Sequence, residues 1–275
     1  MNRLPVPILV ATDASEDAHA AMRVAASLAR RSGSPLHIVH VWQMPFTYGI
    51  PPLVVDPSLG EDAGESILEE ERAVVESYGA TVAGTHLRRG APALAILAVA
   101  DAMHAGVVVV GRRGLGAVRR AVLGSVSDDV VQHSDAPVLV VHGTNWPPSR
   151  VVVGADGSDE ARRAADLAAD VAELVGVPVT LVRALPHLAA SLGGPAPCQV
   201  QVSSEEPWQA LDGASQDGTA LLVVGHRRPG DGSRLERHSV AERVLHHAVG
   251  SVLVVPGRRA RITRGEAPLQ LVPRA

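Results

Sequence analysis

The sequence predicts an α/β protein built from two tandem domains, each a doubly wound parallel sheet. Short runs rich in valine, leucine and isoleucine alternate with longer stretches in which small apolar residues recur at helical spacing. Strands that alternate with helices in this way form right-handed βαβ units on a parallel sheet. Residues 151–158 then echo residues 9–15, so the same pattern begins a second time past the middle of the 275-residue chain.

In the first half, several predicted elements have a signal at one end. Ser15 is placed to cap a helix that Gly33 ends, and Pro92 suits the first turn of another helix. Strands are predicted at 8–11, 36–41, 81–87, 107–110 and 137–141, and further helices at 61–78, 92–104 and 126–133. Residues 43–60 are rich in proline and glycine and are predicted to form a long loop, which is a lid, a partner surface or an insertion without a role.

The second half is predicted to be a shorter copy of the first. It repeats the strand pattern at 151–154, 179–182, 221–225 and 252–256, but 29 residues fewer lie between its second and fourth strands. The predicted organisation is a first domain at 1–143, a linker at 144–149, a second domain at 150–256 and a basic tail at 257–275. The tail lacks apolar periodicity and is expected to be disordered.

Composition and charge exclude several classes of protein. The net charge of −4 is too close to balance for a general nucleic-acid or membrane surface, and no uncharged apolar run approaches membrane-spanning length. A single cysteine, Cys198, excludes an internal disulfide framework, and the first residues lack the apolar segment of a signal peptide. We therefore expect a cytoplasmic protein that binds neither nucleic acid nor membranes.

The most informative stretch follows the fourth predicted strand. Gly111, Gly114 and Gly124 precede Ser125, where a helix begins. Glycine permits positive φ and a close approach to a ligand, and the free N–H groups of a helix start attract anions. This junction is therefore predicted to bind a phosphate chain, and Ser127 adds a hydroxyl that can cap the helix, donate to phosphate or join the shell of a metal. The alternative is a turn without a ligand.

The charges around these glycines favour the same prediction. Four arginines and no acidic residue lie between the first and the last glycine, so the local field is expected to favour negative charge. They are Arg112, Arg113, Arg119 and Arg120. The spacing differs from a Walker A loop, which ends in Gly-Lys-Ser/Thr, and from the dinucleotide fingerprint, which follows the first strand.

The corresponding loop of the second half has lost two of its three glycines. Alignment without a gap sets Gly114 against Arg228 and Gly124 against His238. Side chains at these places would strain the backbone and fill the space of the phosphates. One competent site is therefore predicted, in the first half.

The spacing Gly-2x-Gly-9x-Gly-Ser resembles the nucleotide-binding signature of the universal stress protein family, and the resemblance extends from about residue 5 to residue 256. It implies a Rossmann-like α/β/α sandwich that binds ATP, with or without Mg²⁺, across the ends of strands one, two and four. The positions that match the family's nucleotide contacts are Ala11, Thr12, Asp13, Val41, Val110, Gly111, Arg112, Gly114, Gly124, Ser125, Val126 and Ser127.

Two of these matches have a clear chemical interpretation. Val41 can offer a backbone edge and an apolar wall to a base. Asp13 can accept from a ribose, an amino group or the water of a metal, and its alternative role is to initiate the following helix.

The resemblance also implies an assembly. Family members commonly pair through their last strand, so 138–141 and 252–255 are expected to pair within this chain as a pseudo-dimer. A further homodimer and a regulatory protein partner are compatible with the sequence.

No catalytic residue and no metal site are assigned. The residues around the glycines are arginines and serines, which supply no general base for hydrolysis. His246 and His247 are adjacent on a predicted helix and point in different directions, which argues against a metal centre. Three hypotheses remain: an ATP-binding regulatory stress-response protein with at most weak hydrolysis, an ATP-using α/β enzyme, and an interaction scaffold with a vestigial site.

Overall fold

One continuous ten-stranded sheet runs through the protein. The computed structural model describes residues 7–43, 57–115, 123–183, 198–202, 206–226 and 240–257. The strands are β1 (Ile8–Thr12), β2 (Leu36–Trp42), β3 (Val82–Arg89), β4 (Val107–Gly111), β5 (Val138–Val141), β6 (Arg150–Gly154), β7 (Val179–Arg183), β8 (Cys198–Val202), β9 (Ala220–His226) and β10 (Val252–Pro256). Their order across the sheet is β3-β2-β1-β4-β5-β10-β9-β6-β7-β8.

The two halves of the chain meet at the centre of this sheet. Strands β1–β5 pair in parallel with one another, and so do strands β6–β10. Strands β5 and β10 pair antiparallel, with Leu139 opposite Leu253. The predicted pairing of the last strands within one chain is therefore present, and the predicted α/β class is confirmed.

Seven helices among the described residues cover both faces of the sheet. They are α1 (Glu16–Ser32), α2 (Pro57–Ser77), α3 (Pro92–Ala102), α4 (Ser125–His133), α5 (Asp159–Val175), α6 (Pro207–Gly213) and α7 (Val240–His247). Helices α1, α2 and α5 pack on one face, and α3, α4, α6 and α7 pack on the other. The core of both layers is almost entirely aliphatic, as parallel strands buried on two faces require. None of the described helices is both long and apolar enough to cross a membrane.

The boundary of the predicted 43–60 loop is wrong at its C-terminal end, because α2 already begins at Pro57. Proline is well suited to a first helical turn. Gly60 and Gly64 lie in α2, where a Cβ would lie 2.6 Å from the ring of Trp42 and against Leu87. The glycines therefore allow the helix to approach the sheet closely, and they are not loop residues. Residues 44–56 lie outside the described residues, so the role of this loop as a lid stays a prediction.

The second half contains two elements that the sequence analysis did not predict, β8 and α6. They restore the βαβ alternation between β7 and β9. Most of the shortening lies before β8, since 39 residues separate β2 from β3 but only 14 separate β7 from β8. These 14 residues and the tail beyond Gly257 lie outside the described residues.

A pair of histidines joins β2 to β3. His37 Nδ1 lies 3.2 Å from His86 Nε2, and the two rings stack with their centroids 5.4 Å apart. Burial lowers the pKa of His37; burial, followed by the charges of His37 and Arg88, lowers the pKa of His86. The folded protein therefore favours the neutral rings.

This pair predicts a loss of stability in mild acid. Because the pKa of both rings is below the ordinary value near 6.5, the unfolded chain takes up protons first as the pH falls through about 6.5. The free energy of unfolding should therefore decline from about pH 7 to about pH 5.5, measured by urea denaturation. The decline should be smaller in His86→Gln and unchanged in His133→Gln, whose ring is exposed. The same pH dependence in all three proteins would contradict this account.

Candidate functional site

A cleft of about 480 Å³ opens at the carboxyl ends of β1, β2 and β4. In parallel sheets this is the edge where ligands bind. The lining residues include every residue of the predicted site except Arg112: Ala11, Thr12, Asp13, Val41, Val110, Gly111, Gly114, Gly124, Ser125, Val126 and Ser127. The topology thus brings together residues that lie more than 110 positions apart in the sequence.

One end of the cleft is apolar. Val39 and Val41 approach from β2, and Pro92 and Ile96 approach from the first turns of α3. Of these four, the sequence analysis singled out only Val41 as a site residue. Apolar walls of this kind suit a flat heterocyclic ring, while a few polar groups elsewhere in a pocket fix the orientation of a ligand.

The glycine segment 111–115 is fastened to the turn between β1 and α1. Asp13 accepts hydrogen bonds from the backbone N–H of Ser15 at 3.1 Å and of Leu115 at 2.8 Å. Asp17 accepts from the N–H of Arg113 at 3.0 Å, and Ser15 Oγ donates to the Arg113 carbonyl at 3.2 Å. Asp13 therefore has the structural role that was its alternative, and it also lines the cleft. Asp17 was missed because it lies 94 positions before Gly111 in the sequence.

The three glycines are needed for close approach and not for positive φ. None of them has a positive φ angle. A Cβ at Gly111 would lie 2.6 Å from the carbonyl carbon of Asp17, and one at Gly114 would collide with the carboxylate of Asp13. A Cβ at Gly124 would lie 3.2 Å from the carbonyl oxygen of Arg112. Of the two uses of glycine that the sequence left open, the structure shows close approach, because the crowding comes from the turn between β1 and α1 and from the loop itself.

Among the described residues, no side chain caps the start of α4. Its N-cap is Gly124, which has no side chain to accept a hydrogen bond, whereas Ser15 and Ser158 cap α1 and α5. The N–H groups of the first turn have no acceptor within the helix. Ser125, Val126 and Ser127 all line the cleft at this point. The helix start therefore offers donors and a positive dipole end to an anion.

The hydroxyl of Ser127 has a partner inside the protein. Ser127 is buried, and its Oγ donates to the carbonyl of Gly111 at 2.7 Å. It therefore ties the start of α4 to the end of β4. Ser125 is exposed at the mouth of the cleft.

One of the four arginines, Arg112, does not act as the sequence analysis expected. Arg113 is exposed and lines the cleft, but Arg112 is 5% exposed and its guanidinium turns away toward the second half of the chain. Its Nη1 donates to the carbonyl of Ala248 at 2.7 Å, and its Nη2 donates to that of His246 at 3.2 Å. Arg119 and Arg120 lie outside the described residues.

Comparison with known proteins gives the family. The model of the universal stress protein family matches residues 7–142. A universal stress protein of Mycolicibacterium smegmatis is 31% identical over 277 aligned residues, which cover 92% of this chain and 87% of that protein. The chain belongs to the universal stress protein family.

Two further relatives support the tandem architecture of this universal stress protein. A universal stress protein of Thermus aquaticus is 34% identical over 137 residues, which are 49% of this chain but 96% of that protein. A single copy of the repeat thus accounts for nearly all of a relative about half as long. The crystal structure of a universal stress protein from Archaeoglobus fulgidus matches the fold with a TM-score of 0.71 at 20% identity, over 90% of this chain and 97% of that one.

Thr12 and His40 belong to a buried polar group beneath the cleft. Thr12 Oγ1 donates to Glu71 Oε1 at 2.7 Å, and His40 Nδ1 lies 2.9 Å from the carbonyl of Thr12. All three side chains are buried. The hydroxyl of Thr12 therefore already has partners inside the protein: it donates to Glu71 of α2 and accepts from the backbone N–H of Ala14 at 3.0 Å.

In the second half, the residue that aligns with one of the lining residues of the cleft packs closely against α6. Gly154 aligns with Ala11, and Leu211 of α6 lies 3.0 Å from the Cβ position of Gly154. Leu211 is buried. The second loop itself, 227–239, lies outside the described residues.

One lining residue of the first cleft comes from the second half. His246, near the end of α7, is partly exposed and forms part of the wall. Sequence reasoning considered it only as a metal ligand or a surface histidine, because no local signal places α7 beside β4.

Proposed function

We propose that this universal stress protein binds ATP in its N-terminal cleft and acts as a regulatory protein, with little or no turnover of the nucleotide. The proposal rests on one observation: a single cleft combines an apolar end with the uncapped start of α4. A nucleotide base needs apolar walls, and a phosphate chain needs N–H donors. The cleft offers both, and its volume lies within the range of small-molecule sites.

Each part of the nucleotide has a counterpart in the cleft. Val39, Val41 and Ile96 would hold the adenine ring through apolar contact. The N–H groups at 125–127 would donate to the phosphates, and Asp13 would accept from the ribose or from water around Mg²⁺. Any such contact by Asp13 competes with, or adds to, the hydrogen bonds it accepts from Ser15 and Leu115.

The described part of the cleft is poorly arranged for hydrolysis. Its two carboxylates are Asp13, which accepts two backbone hydrogen bonds, and Asp128, which accepts from Gln132 Nε2 at 3.0 Å. Hydrolysis needs a group that orients the attacking water as well as neutralised charge. Because both carboxylates already accept hydrogen bonds within the protein, the cleft favours binding of the nucleotide over its hydrolysis.

Calorimetric titration with ATP, with and without Mg²⁺, together with a phosphate-release assay, tests this proposal. We expect one saturable site per chain and negligible release of phosphate. Multiple turnover would favour an ATP-using α/β enzyme. No binding under either condition would contradict the proposal and favour an interaction scaffold with a vestigial site.

A further inference from the structure

The N-terminal cleft is completed by the C-terminal half of the chain. Helix α7 belongs to the C-terminal half, yet His246 near its end lines the cleft together with residues of β1 and α4. The neighbouring His247 is exposed, and its ring instead lies tilted by 32° against that of Trp208, with ring centroids 4.9 Å apart. Two adjacent histidines thus have separate surroundings.

The topology places His246 at the opposite end of the cleft from its apolar end. The apolar wall comes from β2 and α3, whereas the sheet continues from β4 through β5 to β10 on the other side. Helix α7 precedes β10 and therefore approaches from that side. The carbonyl of His246 accepts from Arg112, the second residue of the glycine segment. His246 consequently lies on the side of Gly111 and the start of α4.

A phosphate chain in this cleft would need a further hydrogen-bond donor at the end near Gly111 and the start of α4. Among the described lining residues, Asp13 and Asp128 are acidic and Arg113 is basic. The side chains therefore do not by themselves favour a phosphate chain, although the backbone N–H groups of α4 do. An imidazole carries at least one N–H donor in either protonation state. Of the described lining side chains, His246 is the one nitrogen donor besides Arg113.

The position of His246 is fixed by the buried guanidinium of Arg112. Arg112 donates to the carbonyl of His246, in the last turn of α7, and to that of Ala248, the residue directly after the helix. Such terminal carbonyls have no partner within a helix, and a cation is favourable at this end of the dipole. The end of α7 is therefore held against the glycine segment.

We propose that His246 is a nucleotide-binding residue supplied by the degenerate half, donating a hydrogen bond to the phosphate chain of the ligand. The C-terminal half then serves the N-terminal cleft directly, and the cleft is incomplete in a single half. This inference rests on the proposed binding of ATP.

The test compares ATP with adenosine, which lacks phosphates, by calorimetry on the full chain. His246→Ala should weaken ATP binding by about tenfold to a hundredfold, the loss expected when one hydrogen bond to a charged group is removed. It should leave adenosine binding unchanged. His246→Gln, which keeps an N–H donor, should recover part of the affinity. His247→Ala should behave as the native protein.

The outcomes separate this inference from the proposed function. If the native protein binds ATP and His246→Ala binds it equally well, the role of His246 is overturned while the proposed function stands. An equal loss for ATP and adenosine would also overturn it, because the effect would then be structural. If the native protein binds no ATP, the proposed function fails and this inference fails with it.

Discussion

The Gly114→Arg variant is expected to lose at least about a hundredfold in affinity for ATP, or about 2.7 kcal/mol. A Cβ at this position collides with the carboxylate of Asp13, which holds the N–H of Leu115. The arginine would displace that carboxylate and occupy the space between the glycine segment and the start of α4. The variant also copies the residue that the sequence alignment places at this point in the second half, Arg228. Calorimetric titration measures the change.

Gly213→Arg is the matched control for this variant. Gly213 is exposed at the end of α6, and a Cβ there has no neighbour within 4 Å. The same change of charge and size should leave ATP binding intact. Gly114→Ala adds only the colliding Cβ. It therefore measures the effect of local crowding with less risk of unfolding the whole protein. Native affinity in a folded Gly114→Arg protein, checked by circular dichroism, would contradict the proposed site.

The Arg112→Met variant is expected to lose about 2–5 kcal/mol of stability, measured by urea denaturation. The native guanidinium is buried and donates to the carbonyls of Ala248 and His246. Methionine fills similar space but donates nothing, so buried acceptors are left without partners at about 1–3 kcal/mol each. The contact also crosses from one half of the chain to the other, beside the β5–β10 pairing. The free energy of unfolding should fall accordingly.

Arg113→Met is the matched control, since Arg113 is the exposed neighbour of Arg112. A surface substitution of this kind changes stability by about 0.5 kcal/mol or less. Equal stability of the two variants would show that the guanidinium of Arg112 contributes little to the junction of the halves.

Much of the fold could be predicted from the sequence because its strands are short, continuous apolar runs. The runs at 107–110 and 252–255 are buried, which is why they carry no polar residues. Helix α1 has both of its ends marked, by Ser15 and Gly33. The start of α2 could not be placed exactly, because Pro57 and Gly60 resemble loop residues until the ring of Trp42 beside Gly60 is known.

Only the parts of the candidate site that depend on spacing within one stretch of sequence could be predicted. The glycines and the start of α4 follow one strand directly, so their position in the cleft was expected. The direction of Arg112 was not, because it depends on carbonyls 134 and 136 positions away. The position of His246 was missed although the pairing of β5 with β10 was expected, because nothing in the local sequence shows that the end of α7 reaches the first cleft.

A crystal structure of the full chain grown with ATP tests the central claim most directly. We predict nucleotide density in the N-terminal cleft alone, with the base against Val41 and the phosphates at the start of α4. Density for the nucleotide in the C-terminal half, or at a place away from Gly114 and Gly124, would contradict the account.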